Sequence, residues 1–300
     1  MSLSVPRPPT RQYGGKIAAP ERWEMFTPRE GDIVVCTPPK SGSTWVQGIL
    51  ALLISGNPAV DADISNNAPW LDIGVPDAAE VFNRLEAQTQ RRQIKTHTPF
   101  DGIPIWDELR YVSTYRHPID SHFSFRRHVE NMTAEVLTDV FPTDISTGFR
   151  IFLEGEHFDG SSLVSIVDHY RSALALAGQE NILRLHYADM RRAPAESIQK
   201  IATHIGISHP TELMANLIAA ATFDSMKANA DRFAVAARQG FWSKDSNFFD
   251  SGSSNKWVGK LTADDLAAYD ARMNQLLPTE ERHWLEWGSA PMQDINSYKQ

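Results

Sequence analysis

The sequence predicts an α/β fold with a central parallel β-sheet flanked by helices on both faces. Short β-branched runs alternate with amphipathic stretches along most of the chain. Strands that are joined through helices run parallel, and their sheet needs cover on both faces. The 300 residues, 42% of them hydrophobic, suffice for one large core. We therefore expect a single domain over residues 1–300, in which residues 1–30 form an extended arm.

The first half of the chain contains three predicted strands. The runs "DIVVCT", "RQIKTH" and "LRYVSTYR" are rich in β-branched and aromatic residues, which favour strands. Helical periodicity follows the first run in "STWVQGILALLIS" and the third in "IDSHFSFRRHVENM". Ligands of parallel sheets bind beyond the carboxyl ends of the strands, so the residues after each run are candidates for a site.

The alternation resumes in the second half of the chain. There "SSLVSIVDHYRSALALAG" predicts a helix, "NILRLHY" a strand and "APAESIQKIATHIGI" another helix. A helix over "TADDLAAYDARMNQLL", with the capping pair Thr262 and Asp265, is expected to close the chain. Between them, "FAVAARQGFWSKDSNFFDSGSSNKWVGK" lacks periodicity. Residues 238–260 are therefore predicted to form a lid or binding loop.

Composition and charge limit the function classes. The formal net charge of −8 argues against a broad surface for nucleic acid or an anionic membrane, although it permits a local cationic cleft. The one cysteine, Cys36, lies in an apolar run and is predicted to be a buried, inert thiol. The N-terminus lacks an apolar signal core, and "ILALLIS" is too short to span a bilayer. A cytoplasmic location is expected.

The loop "PPKSGSTW" after the first strand has the composition of an anion-binding nest. Gly42, with the small Ser41 and Ser43, lets backbone N–H groups turn into one concavity, and the following helix adds its positive end. Lys40 adds a full charge, and Ser41, Ser43 and Thr44 add hydroxyl donors for a phosphate or sulfate. The alternative is an ordinary turn whose Ser and Thr cap the helix. The nucleotide pattern G-x-x-x-x-G-K-[ST] is absent, which disfavours an ATPase or kinase.

A second cluster, "KTHTPF", ends the next strand. Lys95 and His97 are two residues apart, so their side chains share one face of the strand. Histidine is suited to accept a proton near neutral pH. The alternative is that His97 is a hydrogen-bonded histidine with a structural role only.

A third cluster lies in "YVSTYRHPIDSHFSFRRH". Arg116 at the strand end offers forked donors to a phosphate, and Ser124 follows about two helical turns later. The alternative for Arg116 is an ion pair with Asp120. Arg127 and His128 are interpreted as a solvated helix face. The histidines do not form H-E-x-x-H and the chain has no cysteine pair, so no metal site is predicted.

From about Asp32 to Thr262 the chain resembles the cytosolic sulfotransferase family, as a bacterial-like member. The likeness is carried by "TPPKSGSTW", "KTHTP", "YRHPIDSHFSF", "LHYADM" and "ATFDSMKAN". It implies a P-loop-like domain that moves a sulfuryl group from 3′-phosphoadenosine 5′-phosphosulfate to a hydroxyl or amine. No metal would be required.

The resemblance also implies roles for the matching residues. His97 would be the catalytic base and Lys40 would stabilise the leaving oxygen, while Lys95 would neutralise the sulfuryl oxygens. Ser124 would bond both the 3′-phosphate and Lys40, and would hold this lysine back until the acceptor arrives. The donor would be bound by Lys40, Ser41, Gly42, Ser43, Thr44, Trp45, Arg116, Ser124, Tyr187, Phe223 and Gly252.

The likeness departs from the family pattern near the C-terminus. Where the family shows Arg-Lys-Gly, "FFDSGSSNKW" offers Asp250 and Ser251, which reverses a charge beside the 3′-phosphate. The family's dimer motif is poorly kept in "WVGKLTADDLA", so the oligomeric state is left open. The groups that can hold the 3′-phosphate instead are Lys244, Lys256 and Arg238, or Arg116 and Ser124 with backbone N–H groups near Gly252.

The acceptor is expected to be a small apolar alcohol, phenol, amine or natural product. A long anionic polysaccharide would call for a basic groove, which the acidic composition does not favour. Five aromatic residues either line the acceptor pocket or belong to the core: Trp70, Phe141, Phe149, Phe152 and Phe158. Two other functions stay open, namely a metal-dependent P-loop phosphoryl transferase and a catalytically impaired nucleotide-binding protein of the same fold.

Overall fold

The fold is built on a parallel β-sheet at its centre. The computed structural model describes residues 3–15, 17–133, 139–156, 161–234, 242–244, 249, 252 and 254–291. In this part of the chain the strands are ordered β2-β1-β3-β4, and every neighbouring pair is parallel. They are Ile33–Cys36 (β1), Gln93–Thr96 (β2), Arg110–Tyr115 (β3) and Ile182–His186 (β4). Each falls within a run that the sequence predicts as a strand.

Helices connect and cover the strands. Within the described ranges, no helix is both long enough and apolar enough to cross a bilayer. In chain order the helices are Arg22–Met25 (α1), Ser43–Ser55 (α2), Ile64–Asn67 (α3), Ala78–Glu86 (α4), Pro118–Glu130 (α5), Ile145–Glu154 (α6), Leu163–Leu174 (α7), Tyr187–Arg192 (α8), Pro194–His204 (α9), Thr211–Ala221 (α10), Phe223–Ala228 (α11), Ala230–Phe233 (α12), Ala263–Leu276 (α13) and Thr279–Trp287 (α14).

The two faces of the sheet support two hydrophobic cores. Val34 and Cys36 of β1 face a core that also contains residues of α5, α6, α7 and α13. Ile33 and Val35 face the opposite core, with residues of α2, α9, α10 and α11. Successive side chains of a strand point to opposite faces, so a fully buried strand must be apolar throughout. This confirms the predicted sheet with helices on both faces, and Cys36 is buried as expected.

The N-terminal end of the chain is an arm, and two helices lie near its C-terminal end. The N-terminal arm lies along the domain, because Arg7 and Ile105 exchange backbone hydrogen bonds of 2.8 and 3.0 Å. The predicted capping box of α13 is present between Thr262 and Asp265. However, α13 does not close the chain, since α14 follows after a short turn at Pro278. The sequence prediction stopped one helix too early.

Candidate active site

The carboxyl ends of the four strands bring the candidate residues together. The residues that directly follow β1, β2, β3 and β4 are Thr37, His97, Arg116 and Tyr187. In a parallel sheet these ends lie at one edge. Three segments that are far apart in sequence, the loop 37–42, the end of β2 and the start of α5, therefore meet there.

The loop between β1 and α2 has the shape of an anion nest. Lys40 and Gly42 both have positive φ angles, 61° and 112°. Gly42 is the N-cap of α2 and has no side chain with which to cap the helix. A Cβ atom at Gly42 would lie 3.2 Å from the Tyr187 ring, so both the φ angle and the space favour glycine. The first backbone N–H groups of α2 therefore receive no side-chain cap from the N-cap residue, which the anion-site interpretation requires.

One face of α5 lies against this loop. The Ser121 and Ser41 hydroxyl oxygens are 3.5 Å apart, and the Lys40 ammonium nitrogen lies 2.8 Å from Nδ1 of His128. Residues three and four apart share a helix face, so Ser124 lies between these two contacts. Ser124 is 9% exposed. The interpretation of His128 as part of a solvated helix face is therefore wrong, because its ring is half-buried beside Lys40.

His97 is held in one orientation by the loop. Its Nδ1 lies 2.6 Å from the carbonyl oxygen of Thr37. A carbonyl can only accept a hydrogen bond, so Nδ1 carries the proton and Nε2 presents a lone pair. Burial, together with the positive charge of Lys95, lowers the pKa of His97 well below its ordinary value. The imidazole is neutral at pH 7, which is the form that can accept a proton.

Lys95 and His97 pack on the same aromatic ring, as their spacing predicts. The Lys95 ammonium nitrogen lies 4.4 Å from the centre of the Trp70 ring, and the His97 ring meets Trp70 edge-on at 4.6 Å. Trp70 Nε1 donates to the buried Asp72 carboxylate at 2.8 Å, which fixes the indole. Burial lowers the pKa of Lys95 to about 8, and the nearby Asp72 carboxylate opposes this shift. Lys95 is therefore a cation whose charge is lost in mildly alkaline solution.

An aromatic cluster lies on the other side of the nest. The Trp45 ring makes edge contacts with Tyr187 at 5.5 Å and with Phe223 at 5.7 Å, and its Nε1 donates to the carbonyl of Ala221 at 2.8 Å. The Arg116 guanidinium lies over the Tyr187 ring at 4.4 Å. The three aromatic residues that the resemblance assigns to the donor therefore form one cluster beside Arg116.

A cavity of about 410 Å³ opens next to this cluster. This volume is within the usual range of small-molecule sites, about 300–1,000 Å³. Arg116, Arg191, Arg192 and Gly252 are among its lining residues. Arg191 also lies 5.0 Å from the centre of the Phe223 ring. Two carboxylate residues, Asp120 and Glu286, line the same cavity, so three guanidinium groups against two carboxylates leave it with a small excess of positive charge.

Gly252 and residues 254–255 line one wall of the cavity. Gly252 has a φ of 66°, and a Cβ atom there would lie 2.3 Å from the Phe223 ring. A side chain at this position would displace Phe223. Asp120 accepts from the backbone N–H groups of Asn255 and Lys256 at 3.2 and 3.3 Å, so its carboxylate anchors this segment.

The residues proposed to hold the 3′-phosphate in place of the family's Arg-Lys pair lie at different distances from the cavity. The backbone of Lys256 lies at the start of α5, beside Asp120 and therefore near Arg116. The backbone of Lys244 bonds Asn131 at the opposite end of this helix, which is about 20 Å long. Of the candidates, Lys256 is thus near the cavity and Lys244 is not. Arg238, Asp250 and Ser251 lie outside the described residues.

The predicted acceptor aromatics fall into two groups. Phe141, Phe149 and Phe152 are buried and pack against His122, so they belong to the core. Trp70 alone of the described members borders His97 and Lys95. Phe158 lies outside the described residues.

In the described ranges no three His, Cys, Asp or Glu side chains are arranged to hold a metal ion.

Sequence reasoning missed His128 and Arg191. His128 is four residues after Ser124, so helical spacing alone places the two on one face. Arg191 is four residues after Tyr187 at the start of a short helix, and the same spacing applies. In both cases, the spacing of four residues from a site residue that was already predicted could have identified the missed residue.

Comparisons with known proteins find similarity along most of the chain. The model of the sulfotransferase domain family matches residues 30–280. A glycolipid sulfotransferase of Mycobacterium bovis (strain BCG / Pasteur 1173P2) is 28% identical over 92% of this chain and 94% of its own. Sulfotransferase 1C2 of Rattus norvegicus is 26% identical over 69% of each chain.

Solved structures show the same fold. A mouse sulfotransferase, SULT7A1, complexed with PAP has a TM-score of 0.71 at 20% identity, and the match covers 94% of this chain and 98% of that one. Retinol dehydratase in complex with androsterone and inactive cofactor PAP has a TM-score of 0.69 at 20% identity, covering 86% of this chain and 84% of that one.

Proposed function

Because the chain belongs to the sulfotransferase domain family, we propose that it moves the sulfuryl group of 3′-phosphoadenosine 5′-phosphosulfate to a hydroxyl or amine of a small acceptor. One observation carries the proposal. The Nδ1 atom of His97 is hydrogen-bonded to the Thr37 carbonyl, so Nε2 carries the lone pair, and Lys95 and Lys40 lie close enough for their charges to lower the pKa of the ring. A neutral base and two cations are what sulfuryl transfer requires.

His97 takes the proton of the acceptor. As the acceptor oxygen or nitrogen attacks sulfur, its proton becomes acidic and passes to Nε2. The resulting imidazolium keeps its Nδ1 hydrogen bond to Thr37, which stabilises the charged ring. The hydrogen bond therefore sets the tautomer before the reaction and stabilises the product of proton transfer after it.

The lysines act on the negative charge that develops in the transition state. Lys40 lies in the loop that receives the 5′-phosphosulfate, and its ammonium group stabilises the oxygen that leaves with the nucleotide. Lys95 lies on the His97 side of the cleft, above Trp70, and neutralises the sulfuryl oxygens. Ser41, Gly42, Ser43 and Thr44 supply donors around the same group.

The nucleotide end of the donor fits the arginine-lined cavity. Trp45, Tyr187 and Phe223 provide apolar surfaces for adenine, and Arg116 with Ser124 contacts the 3′-phosphate. We assign Arg191 as an additional contact, because it lines the same cavity in place of the basic pair that the sequence lacks. Backbone N–H groups near Gly252 and the nearby Lys256 complete the site.

The acceptor binds on the Trp70 side of His97. A half-buried indole beside a base suits an alcohol or phenol with an apolar body, as the sequence analysis expects. The curated mycobacterial relatives are glycolipid sulfotransferases, so a glycolipid headgroup hydroxyl belongs in the same panel of acceptors.

The test measures transfer from labelled phosphosulfate donor to phenols, alcohols, amines and glycolipids without added divalent metal. We expect wild-type turnover, and for His97→Ala a kcat lower by about 10²–10⁴-fold, the usual contribution of a positioned general base. His97→Gln keeps a polar side chain of similar reach and is the matched variant that lacks basicity. Both variants are expected to bind the desulfated nucleotide with unchanged affinity.

Three results would count against the proposal. Undiminished turnover of His97→Ala would remove the base assignment. Tight nucleotide binding by the wild type with no transfer to any acceptor would favour the impaired nucleotide-binding protein instead. A requirement for a divalent metal and a nucleoside triphosphate would point to the phosphoryl transferase.

A further inference from the structure

The contact between Lys40 and His128 is a feature that the assigned roles do not use. The Lys40 ammonium nitrogen lies 2.8 Å from Nδ1 of His128. An ammonium group has donors and no acceptor, so the lysine donates and the imidazole nitrogen accepts. This requires a neutral His128 with its proton on Nε2.

The surroundings of His128 keep its ring neutral. Burial lowers the pKa of His128 well below its ordinary value, and the positive charges of Lys40 and Lys95 add to this shift. A protonated ring would place a third cation beside the two lysines. His128 is therefore an acceptor for Lys40 throughout the neutral pH range.

The ring of His128 is itself held from the other side. Trp242 contacts it with the ring centres 4.6 Å apart. Residues 242–244 are fixed to the end of α5, because Ser243 N donates to the Asn131 carbonyl at 2.7 Å and the Asn131 amide donates to the Lys244 carbonyl at 3.1 Å. Trp242 also forms an antiparallel bridge with Met132. The indole is thus placed by backbone contacts that do not involve the nest.

We propose that His128 is a positioning residue, seated by Trp242, that accepts a hydrogen bond from Lys40 and fixes its ammonium group in the cleft. The lysine has a long flexible side chain, and the catalytic contribution of a charge depends on its being in place before the reaction. His128 does not touch the reacting atoms in this role. It acts through Lys40.

Rescue by asparagine distinguishes this role from proton transfer and from simple packing. In His128→Asn the amide oxygen takes the place of Nδ1, whereas His128→Leu has no acceptor. We expect kcat to fall about 10–100-fold in His128→Leu, the usual effect of losing a hydrogen bond to a charged group. The affinity for desulfated nucleotide should change less than about threefold, because the lysine charge is retained. His128→Asn should recover most of kcat.

The controls address folding and neighbouring effects. Arg127→Ala removes the exposed side chain next to His128 on α5 and should match the wild type. If His128→Leu does not fold, His128→Gln replaces it, since its amide oxygen reaches the position of Nε2 and should not rescue. Equal kcat values for Asn and Leu, or for Asn and Gln, would overturn the positioning role. Wild-type kcat in His128→Leu would do the same.

A second measurement does not depend on the proposed function. Competitive labelling with an amine-reactive reagent, followed by peptide mass spectrometry, reports how available the Lys40 amine is. A hydrogen bond to His128 protects the ammonium form, so labelling of Lys40 should be severalfold faster in His128→Leu than in the wild type or His128→Asn. Unchanged labelling in all three proteins would overturn the inference even if no acceptor is ever found.

Discussion

Lys95 is the residue whose environment gives the clearest pH dependence. Its ammonium group lies over the Trp70 ring, and burial lowers its pKa to about 8. A lowered lysine pKa means that the positive charge is present below about pH 8 and is lost as the pH rises through that value. If the charge neutralises sulfuryl oxygens, activity must fall in the same range.

We therefore predict an alkaline limb near pH 8 in kcat/KM for the donor, which reports the free enzyme. Lys95→Arg keeps a charge that does not titrate in this range, so its alkaline limb should disappear even if the maximal rate is lower. The measurement is a pH profile of both proteins between about pH 5 and 10. An identical alkaline limb in Lys95→Arg would assign it to another group.

The acid side of the same profile follows from His97. Its pKa lies well below the ordinary value, chiefly because of burial and then because of Lys95. The neutral base therefore persists to more acidic pH than a solvent-exposed histidine would allow. The two limbs thus come from two groups that pack on one indole.

Individual site residues could be predicted from the sequence where they follow the end of a strand. Lys40, His97 and Arg116 follow strands that β-branched composition defines, so their meeting at one edge follows from the topology. His128 was not predicted, since its significance depends on the distance between α5 and a loop 88 residues away. Helical spacing shows on which face of the helix a residue lies. It does not show which other part of the protein packs against that face.

At the scale of elements, we propose that the short helix α8 supplies a cation that compensates for the missing basic pair. Arg191 lies in its last turn, between the arginine-lined cavity and the Phe223 ring. Its guanidinium also lies 3.4 Å from Asp224, at a partly exposed position where such a pair is weak. The side chain is thus available to a phosphate at small cost.

We predict that Arg191→Ala lowers the affinity for the 3′-phosphorylated nucleotide about tenfold and leaves that of the 3′-dephospho form nearly unchanged. Lys244→Ala is the matched control, because the backbone of Lys244 lies at the far end of α5. Calorimetric titration of both nucleotides into the three proteins measures the effect. An equal loss of affinity for both nucleotides would mean that Arg191 contacts another part of the donor, or acts only by packing on Phe223.

The strands and helices were largely predictable from the sequence. The contacts that join distant segments of the chain were not. The four strands and the capping box of α13 follow from local composition and spacing. The docking of residues 242–244 on Asn131 and of residues 255–256 on Asp120 joins segments more than 100 residues apart. No local pattern encodes such pairs, because a single asparagine or aspartate near a helix end has many alternative partners.

At the scale of the whole molecule, the sheet links the two cores to the donor site. β1 contributes alternate residues to both cores, and the nest that follows it lies at their common edge. Partial unfolding of either core would expose one face of the same strand, at a cost of about 25 cal/mol for each Å² of apolar surface. The described part should therefore unfold as one unit, consistent with the single domain that we propose.

Because the sheet couples the two cores, binding of the desulfated nucleotide should stabilise both of them together. Desulfated nucleotide with its 3′-phosphate, at about 100 times its dissociation constant, should add about 2.7 kcal/mol to the free energy of unfolding. For a chain of 300 residues that raises Tm by roughly 4 °C. Differential scanning fluorimetry should show one transition that shifts as a whole. At the same concentration the 3′-dephospho form should shift it less, because the arginine-lined cavity then lacks its anion. Two separate transitions, of which only one responds to nucleotide, would show that the cores are not coupled through the sheet.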